Sequence, residues 1–136
     1  MSVVKKWLQF LAIAHIVLGL LLPLIIQLEF SQIYIQWLMD AFAVNDLNAH
    51  HLTAFMLSLF GPTVASWGIL FWALVQQSFM LRTRSSWLLM VTATLVWGLY
   101  DSIYSYYYGV WIHAILNGMV MLAIIVPLWS VRHEFD

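Results

Sequence analysis

The sequence contains long stretches without a formally charged side chain. The longest extends from Leu47 to Leu81 and has no Asp, Glu, Lys or Arg. Three other apolar stretches follow Lys6, Arg84 and Gly109, and Asp101 is the one charged residue inside any of them. A helix needs roughly 20 apolar residues to cross the hydrocarbon core of a bilayer. We therefore expect an all-α integral membrane protein with four transmembrane helices.

The composition supports a membrane protein and excludes several kinds of chemistry. Of the 136 residues, 64% are hydrophobic and only 8% are charged, which is too apolar for a soluble domain of this size. A net charge of -1 without a basic cluster argues against nucleic acid as a partner. The chain has no cysteine, so disulfides, thiolate metal sites and iron–sulfur clusters are excluded.

The four spans have recognisable ends. They are predicted at about 7–27, 50–80, 86–108 and 110–130, within a single four-helix transmembrane domain covering 1–136. The first span follows two lysines as a secretory signal would, but it is long enough to cross the bilayer and no small-residue cleavage site follows. We expect it to be retained. Ser85 or Ser86 can cap the third span, and Gly109 suits the left-handed residue that ends it.

The segment between the first two spans is amphipathic. Gln32, Gln36 and Asp40 recur every four residues, and apolar residues occupy the other side. This spacing predicts a short helix at about 31–43 that lies in the plane of the outer membrane interface. The polar residues around Asp46 then predict a turn and a cap for the next helix.

The basic residues predict the orientation in the membrane. All five fall before the first span, between the second and third, or after the fourth: Lys5, Lys6, Arg82, Arg84 and Arg132. Basic residues accumulate on the cytoplasmic side of membrane proteins. We therefore expect both termini in the cytoplasm, the short amphipathic helix outside, and a multi-pass protein of the plasma membrane, with the bacterial inner membrane as its location.

The sequence gives limited information on how the helices pack. His15 and Gly19 are four residues apart and share one face. We interpret His15 as a packing residue next to Gly19, with a role in a proton or ligand path as the alternative. No two glycines are four residues apart, so the GxxxG signature of close helix dimerisation is missing.

Polar side chains on the third and fourth spans are predicted to converge. An ionisable residue inside a membrane span is by default a candidate functional site. Asp101 lies eight residues before Gly109 and Asn117 eight after it, so the two should be level, roughly 12 Å below the outer helix ends. His113 shares a face with Asn117. We expect either a protonated Asp101 or an ion pair with protonated His113.

These residues predict a polar, aromatic-walled cleft that opens to the outer side. The predicted ligand-binding residues are Asp101, Asn117, His113, Tyr104, Trp97 and His51. Tyr104 and Trp97 share the Asp101 stripe of the third span, and His51 is expected near the rim. The pattern identifies no catalytic residue, no metal ligand and no cofactor.

Several functions fit this arrangement. The first hypothesis is a cleft in the last three spans that binds a lipophilic or amphipathic small molecule. The second is an accessory or scaffold subunit, covered by another membrane protein or by a second copy, in which the polar residues only hold the helices together. Haem held by His51 and His113, a metal site including His50, and an acid–base enzyme acting on a lipid-soluble substrate are further alternatives.

Overall fold

The computed structural model describes residues 3–135, and these residues form helices and no strands. The helices are α1 (Val3–Ile25), α2 (Glu29–Ala41), α3 (Leu47–Leu81), α4 (Arg84–Tyr107), α5 (Trp111–Ser130) and a short 3₁₀ helix (Arg132–Phe135). Every helix end that the sequence predicts lies within four residues of the observed one. The expected number, order and type of elements are confirmed.

Four of the five α-helices could cross a membrane. By length and composition α1, α3, α4 and α5 qualify as membrane spans, and only 17–22% of their most apolar segments is buried inside the protein. Such exposure of apolar surface is what a surrounding lipid phase allows and water disfavours. The helices therefore indicate a multi-pass membrane protein. Its orientation and the interfacial position of α2 stay predictions.

The helix starts show one correct and one wrong prediction. Asp46 caps α3, because its Oδ1 accepts a hydrogen bond from the Ala49 N–H at 2.8 Å. The cap of α4, however, is Thr83 rather than Ser85 or Ser86: its backbone is extended and its hydroxyl accepts from the Ser86 N–H at 3.3 Å. The helix can begin this early because Arg82 adopts a positive φ of 50° and ends α3 just before it.

The chain forms two compact units, and the boundaries between them fall inside α1 and α3. The hairpin unit consists of Met1–Phe10 and Phe71–Asp136, and the crossing unit of Leu11–Leu70. Each is described separately below. The single domain predicted over 1–136 stays a prediction.

A tight turn joins α4 to α5 in the hairpin unit. Gly109 has a φ of +77°, its N–H donates to the Tyr106 carbonyl at 3.0 Å, and the Val110 N–H donates to the Ser105 carbonyl at 2.8 Å. These two bonds form a Schellman motif, which favours glycine at its left-handed position. The predicted role of Gly109 is confirmed, and the turn makes α4 and α5 an antiparallel hairpin.

Two tryptophans satisfy backbone carbonyls of α5. Pro127 has no N–H, so the carbonyl of Ala123 lacks its usual helical donor; the Trp7 indole N–H donates to it at 2.8 Å. The Trp87 indole N–H donates to the Leu128 carbonyl at 2.9 Å, close to the helix end, where carbonyls have no intrahelical partner. Both tryptophans thus stabilise the same part of α5.

In the crossing unit, α1 and α3 approach each other backbone to backbone. A Cβ atom added to Gly61 would lie 2.5 Å from the Gly19 carbonyl oxygen, and one added to Gly19 would meet the backbone of Gly61 and Ala65. One added to Gly68 would lie 2.8 Å from the Ala12 carbonyl oxygen. Gly61 and Ala65 form a small-xxx-small pattern. Close helix packing therefore occurs within the chain although GxxxG is missing.

The polar residue at the centre of α1 packs locally. The Nδ1 atom of His15 lies 2.7 Å from the Leu11 carbonyl oxygen, and its ring centroid is 4.7 Å from that of Trp67. Both contacts lie within the crossing unit, and they agree with the interpretation of His15 as a packing residue.

The short helix α2 packs through three residues of one face. Its buried residues are Ser31, Ile35 and Met39, of which Ile35 and Met39 form a small core with Ile26. The Ser31 hydroxyl donates to the Ile25 carbonyl at 2.6 Å, which joins α2 to the end of α1. Ile33 of the same helix remains 75% exposed.

Candidate functional site

The polar residues predicted to meet on α4 and α5 do so. The Asn117 side-chain amide donates to Asp101 Oδ2 at 2.9 Å, and His113 Nε2 lies 3.2 Å from the same oxygen. The first contact confirms that Asp101 and Asn117 are level. His113 lies one turn nearer Gly109, roughly 6 Å along the helix, and its longer side chain reaches back across that distance.

The two oxygens of the Asp101 carboxyl differ in their partners. Oδ2 receives both protein contacts, whereas Oδ1 has no hydrogen-bond partner among residues 3–135. The Asp101 side chain is 36% exposed, while Asn117 is buried. A carboxylate oxygen can accept about two hydrogen bonds. Oδ1 is therefore available to a donor group of a bound molecule.

The contact between Asp101 and His113 allows proton exchange. When Asp101 is ionised, a proton on His113 Nε2 makes the imidazole a donor to the carboxylate. When Asp101 carries the proton, Nε2 is the acceptor. The same 3.2 Å geometry serves both states. The side chain of His113 is 34% exposed, so the pair is accessible from outside the helix contact.

Ser102 is a polar residue of this region that the sequence interpretation missed. Its hydroxyl oxygen is buried and has no hydrogen-bond partner within the described chain. By contrast, the hydroxyl of Thr94 on the same helix donates to the carbonyl four residues before it, that of Met90, at 2.8 Å. A buried unpaired hydroxyl is uncommon and calls for a partner. Its position directly after Asp101 was the one available signal.

Two aromatic residues of α4, Trp97 and Tyr104, are predicted for the site, and they differ in burial. Trp97 is half-buried and lies one turn before Asp101 on α4. Tyr104 is 55% exposed. Its ring is parallel to that of Tyr100, with centroids 6.0 Å apart, and tilted by 52° against that of Tyr108, at 5.0 Å. Tyr104 thus belongs to a column of tyrosines along α4, and its role in a ligand site stays a prediction.

His51 belongs to the crossing unit. It lies in the first turns of α3 and is exposed, and its ring centroid is 6.1 Å from that of His50. Its participation in a site with Asp101 stays a prediction. Within residues 3–135, no three His, Asp or Glu side chains lie close enough together to hold a metal ion.

Two cavities lie apart from the predicted residues. One, of about 330 Å³, is in the hairpin unit and is lined by residues from the ends of α4 and α5 distant from Gly109. The other, of about 200 Å³, lies between α2 and the start of α3. None of the six predicted ligand-binding residues lines either one. The outward-opening cleft therefore stays a prediction.

Comparison with known protein families, with curated proteins and with solved structures finds no match to this chain.

Proposed function

We propose that this chain is a membrane protein whose α4–α5 hairpin binds a lipophilic or amphipathic small molecule through Asp101. The observation that carries the proposal is the unequal pairing of the carboxyl: within the described residues, both contacts are made to Oδ2 and none to Oδ1. A molecule with a hydroxyl, amide or amine donor on an apolar body would complete this arrangement.

The free-energy cost of an Asp in a membrane span favours a binding role for Asp101 over a purely structural one. A hydrogen bond between membrane helices contributes on average about 0.6 kcal/mol and at most about 1.7 kcal/mol. An Asp at the centre of a span costs about 2.5 to 3.5 kcal/mol. Two average contacts to Asp101 do not offset that cost, and a neutral pair would hold the hairpin without it. This difference supports a function for the carboxyl beyond helix packing.

Each side chain then has a distinct role. Asp101 accepts a hydrogen bond from the ligand, and Asn117 fixes the orientation of the carboxyl. His113 exchanges a proton with Asp101 as the ligand enters or leaves. Trp97 supplies an apolar wall.

The Asp101–His113 contact also favours a second candidate, an acid–base enzyme that acts on a lipid-soluble substrate. A carboxylate that orients a histidine is a common arrangement for general acid–base catalysis. The two candidates differ in what happens to the bound molecule. An enzyme would release a chemically altered product, whereas a binding protein would return the molecule unchanged.

We further propose a plasma-membrane location with both termini in the cytoplasm, in a bacterial inner membrane. Arg84 and Arg132 line one cavity at the end of the hairpin distant from Gly109, and Trp7, next to Lys5 and Lys6, bonds to α5. The clustering of basic residues at this end supports the orientation. The exposed Ile33 of α2 supports an interfacial position for that helix.

The orientation can be tested because the natural chain contains no cysteine. Single-cysteine variants Tyr108→Cys and Arg82→Cys would be treated with a membrane-impermeant maleimide in intact cells. We expect labelling at position 108 and none at 82 until the membrane is permeabilised. Labelling of position 82 alone in intact cells would reverse the proposed orientation.

The binding proposal is tested by mass spectrometry of molecules retained by the purified full chain. Asp101→Asn keeps the side-chain size and removes the acid, and Asp40→Asn makes the same change at an exposed carboxyl that only contacts Gln36. We expect a small molecule to co-purify with the natural chain and with Asp40→Asn. Its amount should fall at least roughly tenfold in Asp101→Asn, which corresponds to ~1.4 kcal/mol.

Two outcomes would contradict the proposal. Equal retention by Asp101→Asn and Asp40→Asn would make the polar group structural. A natural chain that carries only bulk lipid but co-purifies with another membrane protein would favour the accessory-subunit alternative. An absorption spectrum of the same sample tests the haem alternative directly.

A further inference from the structure

The cavity of about 330 Å³ in the hairpin unit is rich in cationic and aromatic side chains. It lies between the start of α4, the end of α5 and the 3₁₀ helix, and its lining residues are Arg84, Trp87, Trp129, Arg132, His133 and Phe135. This volume is at the lower end of the range of roughly 300–1,000 Å³ found for small-molecule sites. The cavity is distinct from the Asp101 site, which lies toward the other end of the same hairpin.

The two arginines at this cavity are not neutralised by the described protein. Neither guanidinium forms an ion pair with a carboxylate among residues 3–135. Arg132 instead lies over the indole ring of Trp129, with its Cζ atom 4.9 Å from the ring centroid, a cation–π contact that holds the guanidinium in place. Glu134 is half-buried and does not line the cavity. Among residues 3–135, the cavity thus offers positive charge without a compensating carboxylate.

The surroundings of the cavity are apolar. Trp87 bonds to the Leu128 carbonyl, and its ring centroid is 5.8 Å from that of Trp129. Beyond the two tryptophans, Leu89 and Val126 are each 60% exposed on the apolar spans. Tryptophans at the ends of membrane helices mark the head-group level. An anion held by the arginines would therefore have space for an apolar tail beside it.

We propose that this cavity binds the phosphate of an anionic phospholipid headgroup. Arginine is suited to this ligand because its planar guanidinium donates two parallel hydrogen bonds to phosphate oxygens. Arg84 and Arg132 line the cavity from different helices, so one phosphate between them would also join the start of α4 to the 3₁₀ helix that follows α5. The acyl chains would lie along the exposed apolar side chains of the hairpin.

The test uses native mass spectrometry of the full chain in non-ionic detergent, titrated with phosphatidylglycerol or phosphatidylcholine. We expect occupancy by phosphatidylglycerol to exceed that by phosphatidylcholine, and each of Arg84→Gln and Arg132→Gln to lower the preference roughly fivefold. Arg132→Lys, which keeps the charge, should lower it less. Arg82→Gln removes the same charge two residues from the cavity lining, and it should leave the preference unchanged.

Circular dichroism of each variant verifies that it is folded. The preference for phosphatidylglycerol over phosphatidylcholine is compared only among variants that keep the helical spectrum. An equal preference in Arg82→Gln and Arg132→Gln would overturn the proposal. Excess inorganic phosphate, added as a second arm, should not displace the lipid. Complete displacement by inorganic phosphate, without any preference between the two lipids, would show that the site takes the free anion and would overturn the lipid assignment.

Discussion

The α1–α3 contact and the polar α4–α5 contact use opposite chemistry. In the crossing unit, α1 and α3 meet where Gly19, Gly61 and Gly68 have no side chains, and backbone atoms occupy the space that a Cβ would need. In the hairpin unit, α4 and α5 are joined by polar side chains, through the bonds from Asn117 and His113 to Asp101. The first contact depends on shape and the second on hydrogen bonding.

This difference separates a packing contact from a candidate binding site. The backbone contact of α1 and α3 leaves no space for another molecule. At the Asp101 contact, carboxylate oxygen Oδ1 has no hydrogen-bond partner among residues 3–135, and a Cβ at Gly118, next to Asn117, would meet nothing within 4 Å. Unused hydrogen-bonding capacity beside open space is what a ligand requires.

The largest loss of stability should come from the addition of one methyl group in the crossing unit. Gly19→Ala places a Cβ against the backbone of Gly61 and Ala65, which cannot rotate away as a side chain would. We expect a loss of about 3 kcal/mol in the free energy of unfolding, the upper part of the usual range for overpacking. The measurement is unfolding of the purified chain in mixed detergent micelles, followed by circular dichroism.

Gly118→Ala is the matched control, since it adds the same methyl group to a helix where nothing lies within 4 Å. We expect it to raise the stability by up to about 1 kcal/mol through helix propensity. If both variants changed stability equally, the close backbone contact of α1 and α3 would not exist in the membrane protein.

A smaller effect should follow from loss of one polar contact in the hairpin. Asn117→Leu keeps the branched shape and the number of side-chain heavy atoms at a buried position, and it removes the donor to Asp101. We expect a loss of about 1 kcal/mol, in the range measured for hydrogen bonds between membrane helices, together with weaker ligand retention. Met119→Leu, at an exposed position of α5, is the control. A loss as large as that of Gly19→Ala would make the polar group the main structural contact.

The smallest change in stability is expected from a substitution at Ser102, and it should be a gain rather than a loss. Ser102→Ala removes a buried hydroxyl without a hydrogen-bond partner, so the ligand-free protein should be unchanged or stabilised by up to about 1 kcal/mol. Thr94→Val removes a hydroxyl that is paired with Met90 and should destabilise. If Ser102→Ala also weakened ligand retention, the hydroxyl would be part of the site; a loss of stability like that of Thr94→Val would show that it is paired in the membrane.

The parts of the structure set by local chemistry could be predicted from the sequence. Charge-free stretches locate the spans, and Gly109 fixes the turn from which the depths of Asp101 and Asn117 follow. The contact of α1 with α3 has no GxxxG pattern in the sequence, because Ala65 supplies the second small residue on α3. Nothing in a single sequence shows which distant helix will meet Gly19.

The tryptophan hydrogen bonds likewise could not be predicted from a single sequence. Trp7 and Trp87 lie near the starts of α1 and α4, but their hydrogen bonds to the carbonyls of Ala123 and Leu128 depend on tertiary packing. Pro127 indicates that one carbonyl of α5 will lack a donor. It does not indicate that a residue 116 positions away will supply it.

Because the turn at Gly109 is short, the contact of His113 and Asn117 with Asp101 depends on the number of residues between them. Because each inserted residue rotates the following helix by about 100°, an insertion between Gly109 and His113 would turn the imidazole and Asn117 away from Asp101. The spacing D-x7-G-x3-H-x3-N should therefore remain constant in any protein that shares this site. It gives a search pattern by which relatives can be recognised even where the rest of the apolar sequence has diverged.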